Sequence, residues 1–131
     1  MSKYPYFILS DKVYKPWIPI RLKFKHKVTT APIIALVDSG ADVCLCSMDI
    51  GMWLGINFKK KTPFPIKGVN GQSMDTFKES CSIYLDNHSI QSPIYFSNSL
   101  PKITPIILGQ LGFFDHFKVT FDLKNKEIEI I

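Results

Sequence analysis

The sequence predicts an all-β fold, on three observations. Apolar residues alternate with polar ones over short windows and rarely recur at the helical period. Those windows are bounded by Pro, Gly and Asn, the residues that punctuate strands. Asn70-Gly71 stands between two apolar-flanked arms, which is the strongest short-range hairpin signal. With 131 residues, 46% of them hydrophobic, the chain buries about two-thirds of the surface its unfolded form exposes, enough for a core without disulfide or metal staples. Residues 1–131 read as a single domain, with no internal repeat, linker or low-complexity segment.

The elements follow in chain order. Residues 20–28 alternate Ile20, Leu22, Phe24, His26 and Val28 on one side with Arg21, Lys23, Lys25 and Lys27 on the other, the pattern of one half-buried antiparallel strand with a solvated basic face. Residues 33–37 are apolar on both faces and belong deep in the fold. After Asp38-Ser39-Gly40, residues 43–46 form a short strand. Ser47 then caps a helix over residues 48–54 that Gly55 ends, with Met52, Trp53 and Ile56 packing it on the sheet. Lys59 to Lys61 form a basic connection. Residues 64–77 make a projecting hairpin with a tight type I′ turn at Asn70-Gly71. A second hairpin joins residues 81–85 to 90–96 around Asp86-Asn87-His88. Residues 105–109 form a buried strand, 111–117 a short helix, and 118–122 and 127–131 a closing hairpin that turns at Lys124-Asn125.

Composition excludes several function classes. No apolar run approaches the ~18 residues of a membrane helix, and the patch at residues 4–9 is interrupted by Pro5 with no cleavage site behind it, so a cytoplasmic location without membrane contact is expected. Three cysteines are an odd count and imply free thiols. A net charge of +5 falls short of a nucleic-acid footprint, and Trp17 and Phe24 read as core-facing rather than base-stacking. Cys44 and Cys46 share a strand face and Cys81 is a third thiol, but His26, His88 and His116 are scattered. No metal or other cofactor is therefore expected. No Ser/His/Asp or Cys/His spacing and no phosphate-cradling loop is present.

The segment with chemical content is Ala35-Leu36-Val37-Asp38-Ser39-Gly40-Ala41-Asp42. A carboxylate directly after a fully apolar strand loses hydration and needs donors. Gly40 lets the backbone turn sharply and bring amides to the acid, Ser39 adds a small hydroxyl, and Ala41 leaves space in front. This combination suits a hydrogen-bonded carboxylate at the floor of a cleft.

These residues resemble the active-site motif of retropepsin-like aspartic proteases. Two further motifs stand in the same order: Gly68-Val69-Asn70-Gly71 resembles the tip of the family's flap, and Ile106-Ile107-Leu108-Gly109 its second signature. Lys15-Pro16-Trp17-Ile18-Pro19-Ile20 is similar to its first strand, so the resemblance spans about residues 15–131. It implies a retropepsin-like closed barrel, one lobe per chain, and peptide hydrolysis by two carboxylates. Asp49-Ile50-Gly51 lacks the preceding apolar strand and Asp75-Thr76-Phe77 lacks the Gly, so the chain holds one suitable acid. The implied enzyme is a homodimer in which two copies of Asp38 meet on a two-fold axis.

The resemblance also implies roles. Asp38 is catalytic, Ser39 and Gly40 form the active-site loop, and Ala41, Asp42, Gly68, Val69 and Ile107 bind an extended polypeptide. Gln110 stands where many members have Arg, which rules out the ion pair to Asp42 and leaves a hydrogen bond from Gln110 to Asp42 as the expected brace. The closing hairpin is available to supply interface strands. The alternative class is a retropepsin-like dimeric binding or assembly module without turnover.

Overall fold

Short apolar runs separated by turn residues pair, among the described residues, into three sheets. The structure, a computed structural model, describes residues 2–68 and 70–131. The strands are β1 (Ser2–Pro5), β2 (Phe7–Ser10), β3 (Val13–Lys15), β4 (Trp17–Phe24), β5 (Lys27–Val28), β6 (Ile33–Val37), β7 (Cys44–Ser47), β8 (Phe64–Lys67), β9 (Ser73–Leu85), β10 (His88–Ser97), β11 (Ile106–Leu108), β12 (Val119–Asp122) and β13 (Glu127–Ile130). Among the described residues one helix, α1, covers Met48–Trp53.

The largest sheet runs β5-β4-β6-β11-β7-β10-β9-β8. Because β4 also pairs with β9, through Arg21↔Tyr84, Leu22↔Ile83 and Lys23↔Ser82, six of these strands close into a barrel. Closure removes the free edges that an open sheet leaves unpaired. Alternation along β4 sends Ile18, Ile20 and Leu22 inward, where they meet Ala35, Ile83, Ile94, Phe96 and Leu108 in one core cluster. A second sheet, β1-β13-β12, closes over the same cluster with Tyr4, Ile128 and Ile130. β2 and β3 form a two-stranded ribbon of their own.

The chain departs from the sequence expectations in six places. Residues 20–28 are not one strand: β4 ends at Phe24, Lys25 takes a left-handed φ of 54°, and β5 folds back to pair Lys23 with Val28. Short-range alternation continues through a tight turn and so does not reveal it. Met52 and Trp53 are 55% and 45% exposed instead of packing α1 on the sheet. That contact is made by Gly51, where an added Cβ would overlap Phe58 and Phe96, and by buried Leu54 and Ile56. Lys27 Nζ lies 4.1 Å from the Trp53 ring centre and covers it. The expected N-cap holds, with Ser47 Oγ accepting from Asp49 N at 3.3 Å, and Gly55 ends the helix at φ 90°.

The hairpin at residues 64–77 is present, but its loop is longer than a two-residue type I′ turn. The ladder stops at Lys67↔Ser73, Gly68 N donates to Gln72 O, and Gly71 sits at φ 78°. A residue in that left-handed region closes a three-residue loop. Residues 111–117 form consecutive turns and not a helix. Gly112 at φ 105° interrupts any regular helix, and Phe114 N and Asp115 N reach back five residues to Gly109 O and Gln110 O. The second arm of the 64–77 hairpin and residues 81–85 are not separate strands either: they form one unbroken strand, β9, which pairs first with β8 and then with β10. Finally, β1 and the β2–β3 ribbon were not anticipated: β1 is held by β13, distant in sequence, and the ribbon, though it pairs locally, turns at Lys12 with a φ of 61° and has no Gly or Asn there to signal it. The remaining strands and the hairpin turns at Asp86-Asn87 and Lys124-Asn125 lie where expected.

Candidate active site

Asp38 stands at the C-terminal end of β6, whose last residues are gripped from both sides. Val37 N donates to Pro16 O at 2.9 Å, and Asp38 N donates to Leu108 O at 3.0 Å. The chain then folds back on itself, with Ala41 N donating to Asp38 O at 3.1 Å and Gly40 N donating to the Asp38 carboxylate Oδ1 at 2.9 Å. The acid is therefore half-buried and aimed by an amide of its own loop. A Cβ on Gly40 would stand 3.2 Å from Oδ1, which crowds the acid.

The two glycine motifs interlock behind this loop. Gln110 N donates to Ala41 O at 2.8 Å and Leu111 N to Asp42 O at 2.9 Å, so the chain leaving β11 runs alongside residues 41–43. The approach is close enough that a Cβ on Gly109 would overlap the carbonyl oxygens of Val43 and Ala41. Cys44 pins the crossing, since its sulfur accepts from Gly109 N at 3.4 Å and donates to Leu111 O at 3.6 Å. Burial pushes its thiol up from the ordinary value, which keeps it protonated and able to donate. Among the described residues no group of three or more His, Cys, Asp or Glu could hold a metal ion, and all three cysteines are buried free thiols.

Gln110 does not brace Asp42 as expected. Its Nε2 donates to Ser39 O at 2.6 Å, while the Asp42 side chain is exposed. A neutral amide has no charge to draw it to the carboxylate, and the nearby main-chain carbonyl is an adequate acceptor.

Beside the acid an apolar row crosses five strands. Register aligns Trp17 with Leu36, Leu36 with Ile107, Ile107 with Leu45 and Leu45 with Tyr95. These five occupy one face, opposite the alternating residues Ile18, Ala35, Ile106 and Cys46 that enter the core. Phe64, on β8, adds its ring 5.4 Å from Tyr95. Of this row the sequence reading named only Ile107 for a site. Leu36 was marked only by its place in the motif before Asp38, and Leu45 and Tyr95 gave no signal beyond ordinary strand hydrophobicity, because the grouping depends on register between distant strands.

Asp38, Ser39, Gly40, Ala41 and Asp42 are thus brought together with Ile107, whose neighbour Leu36 lies two residues before the acid. Gly68 belongs to another element, the exposed loop between β8 and β9, and shares no hydrogen bond with the Asp38 loop among the described residues. Val69 lies outside the described residues.

The sequence pattern of the family described as "Retroviral aspartyl protease" matches residues 12–112, which include the Asp38 loop, the β8–β9 hairpin and the second glycine motif. The chain belongs to that family. Solved structures agree on the fold. The chain resembles a retropepsin-like aspartic protease from Rickettsia conorii with a TM-score of 0.68 at 14% identity, over 98% of this chain and 89% of that one. It also resembles the EIAV protease, in a complex with the inhibitor HBY-793, with a TM-score of 0.58 at 20% identity, over 79% of this chain and 88% of that one. No curated protein matches the chain. The family match and both neighbours agree with the retropepsin-like barrel expected from the three sequence motifs.

Proposed function

We propose that the chain is an aspartic endopeptidase that works as a homodimer, with one Asp38 from each copy on the two-fold axis. The observation that carries this reading is the half-buried Asp38 carboxylate held by the Gly40 amide at the end of an apolar strand. A single lobe supplies one such acid, and hydrolysis by this chemistry needs two. Aspartic proteases are the type case of paired carboxylates sharing one proton, because like charges that close together do not both ionise.

Water is the nucleophile. The ionised Asp38 takes a proton from the water as its oxygen attacks the scissile carbonyl carbon, and the protonated Asp38 of the other copy gives its proton to the carbonyl oxygen. Collapse of the tetrahedral intermediate then breaks the C–N bond, as the carboxyl that took the water proton passes it to the departing amine and the other, now ionised, carboxylate takes a hydroxyl proton from the intermediate, which restores the starting pair. Ser39 and Gly40 hold the loop in shape, and Ala41 and Asp42 line the cleft against the extended substrate backbone. The apolar row of Leu36, Ile107 and Leu45 favours hydrophobic side chains next to the cleaved bond. The β8–β9 hairpin serves as the flap that covers substrate and excludes water, with Gly68 in its loop. Its base is anchored by Thr76 Oγ1 donating to Phe64 O at 2.6 Å.

The test is cleavage of an unbiased peptide library by the purified chain and by Asp38→Asn, from acidic to neutral pH, with mass measured on the same samples. A dimer that cleaves, together with an Asp38→Asn chain that is dimeric and inert, is the expected result. A dimeric wild type with no cleavage that depends on Asp38 removes the catalytic reading and leaves a binding module.

A further inference from the structure

We propose that β5 and α1 frame a second peptide-binding site, away from the Asp38 cleft, for a segment of polypeptide substrate in which a large apolar side chain stands next to Asp or Glu. That the bound polypeptide is a substrate rests on the protease reading above. Between α1 and the chain leaving β5 lies a hollow of about 240 Å³, walled by Pro32, Ile33, Ile50 and Trp53 and floored in part by the buried Thr29. It is smaller than the roughly 300–1,000 Å³ of a site for a drug-sized ligand and suits a single large side chain.

Charge at the mouth of the hollow narrows the choice of occupant. Trp53 is 45% exposed, and Lys27 Nζ lies 4.1 Å from its ring centre, so the lysine steadies the ring and keeps its ammonium at the rim. Lys25, His26 and Lys27 are exposed one after another on the β4–β5 turn. Among the described residues no acid pairs with Lys23, Lys25 or Lys27. Asp49, the acid of α1, lines a different hollow with Lys102 and Pro105. An apolar recess with uncompensated positive charge at its edge is complementary to an apolar side chain that has a carboxylate beside it.

A polypeptide fits this place better than a lipid surface or a nucleic acid. β5 is the outermost strand of its sheet, and its far edge pairs with no other strand among the described residues, so an extended segment can lie alongside it and drop one side chain into the hollow. A membrane takes up protruding apolar groups, whereas here the apolar surface is recessed and Lys27 covers the Trp53 ring. The same cover denies a base its stacking face. Ile33 opens β6 and Asp38 follows its last residue, which puts the hollow about 16 Å from the acid along one strand. The site therefore reads a part of the substrate remote from the cleaved bond, and its binding energy acts on KM.

The experiment is capture of a library of random peptides on immobilised Asp38→Asn chain, and on the same chain carrying in addition Lys27→Glu, Lys27→Arg or Trp53→Ala, with circular dichroism of each. The expected pool from Asp38→Asn is enriched in Asp or Glu beside Leu, Phe or Met. That enrichment falls about 10-fold with Lys27→Glu or Trp53→Ala, as for an interface hot spot, and is kept with Lys27→Arg. On the Asp38 chain, a cleavable peptide extended by the enriched segment loses about 10-fold in kcat/KM through KM in the same two variants, while the unextended peptide is cleaved equally by all. Should Trp53→Ala unfold, Lys27→Glu, at an exposed position, decides.

Acid enrichment that is absent, or equal in every folded chain, overturns the second site and leaves the protease reading intact. Binding to phosphatidylserine vesicles that Lys27→Glu abolishes, with unchanged peptide pools, overturns it in favour of a lipid surface. If capture is selective as expected but the Asp38 chain cleaves nothing, the peptide site stands and the hydrolytic reading falls.

Discussion

At the scale of single residues, hydrogen bonds decide where the chain's charges can sit. Asp38 receives the Gly40 amide, and Ser39 is held through its carbonyl by Gln110. A second acid acts as a latch far from this loop in sequence: Tyr4 Oη donates to Asp86 Oδ2 at 2.6 Å and ties β1 to the β9–β10 turn. The hydrogen bond from Tyr4, aided by Ser2, holds the Asp86 carboxyl below its ordinary 3.8, while burial pushes the Tyr4 phenol above 10.0. The signs follow from linkage. The unfolded chain binds a proton at Asp86 more readily, so the latch stabilises fully above the ordinary carboxylate range and its contribution fades as pH falls below 3.8. For Tyr4 the contribution is present below pH 10.0 and is lost as pH rises beyond it. Tyr4→Phe is expected to cost about 1 kcal/mol at neutral pH and to flatten the acid limb of the stability profile. Thermal melts of both chains from neutral to acid pH check this, and parallel profiles for the two would remove the latch.

At the scale of elements, the crossing between β6, β7 and β11 depends on backbone groups with no room between them. Gly109 lies against the carbonyls of Ala41 and Val43, so Gly109→Ala forces the two signature segments apart. Such overpacking is expected to destabilise by about 1–3 kcal/mol, and it displaces the Asp38 loop, whose backbone is bonded to the same segment. Denaturant unfolding gives the first effect. The second appears as a loss of peptide cleavage larger than the unfolded fraction explains, and full activity in the folded fraction would show that the loop tolerates the shift. Elements built from local signals were legible beforehand: the Ser47 cap with Gly55, the Asp86-Asn87 turn and the buried runs of β6 and β11. Those that failed did so because a local pattern fits two structures. Residues 111–117 carry apolar spacing that suits a helix, yet Gly112 takes a left-handed φ there and Phe113 is buried in the core regardless.

At the scale of the whole molecule, half of the proposed active site lies outside any one chain. On the proposed homodimer, a wild-type chain mixed with Asp38→Asn is expected to form hybrid dimers holding one acid, and at equal amounts about one dimer in four is expected to retain both. Activity per wild-type chain is expected to fall as the inert chain is added and on dilution of the wild type alone. Titration of cleavage rate against added Asp38→Asn measures this, and a rate that ignores the added chain would mean that one chain suffices.

From the sequence alone came the β pattern, the single acid in its glycine loop, the order of the three motifs and the membership they implied, because residue type and short-range spacing are local properties. Closure of the barrel through β4 and β9, the seating of β1 on β13, the contact of Gln110 with Ser39 and the apolar row beside Asp38 were decided only in three dimensions. Each depends on the register between strands far apart in the chain. A one-residue slip in register would send every side chain of a strand to the other face, so long-range pairing, and not local preference, selects which residues meet at the site.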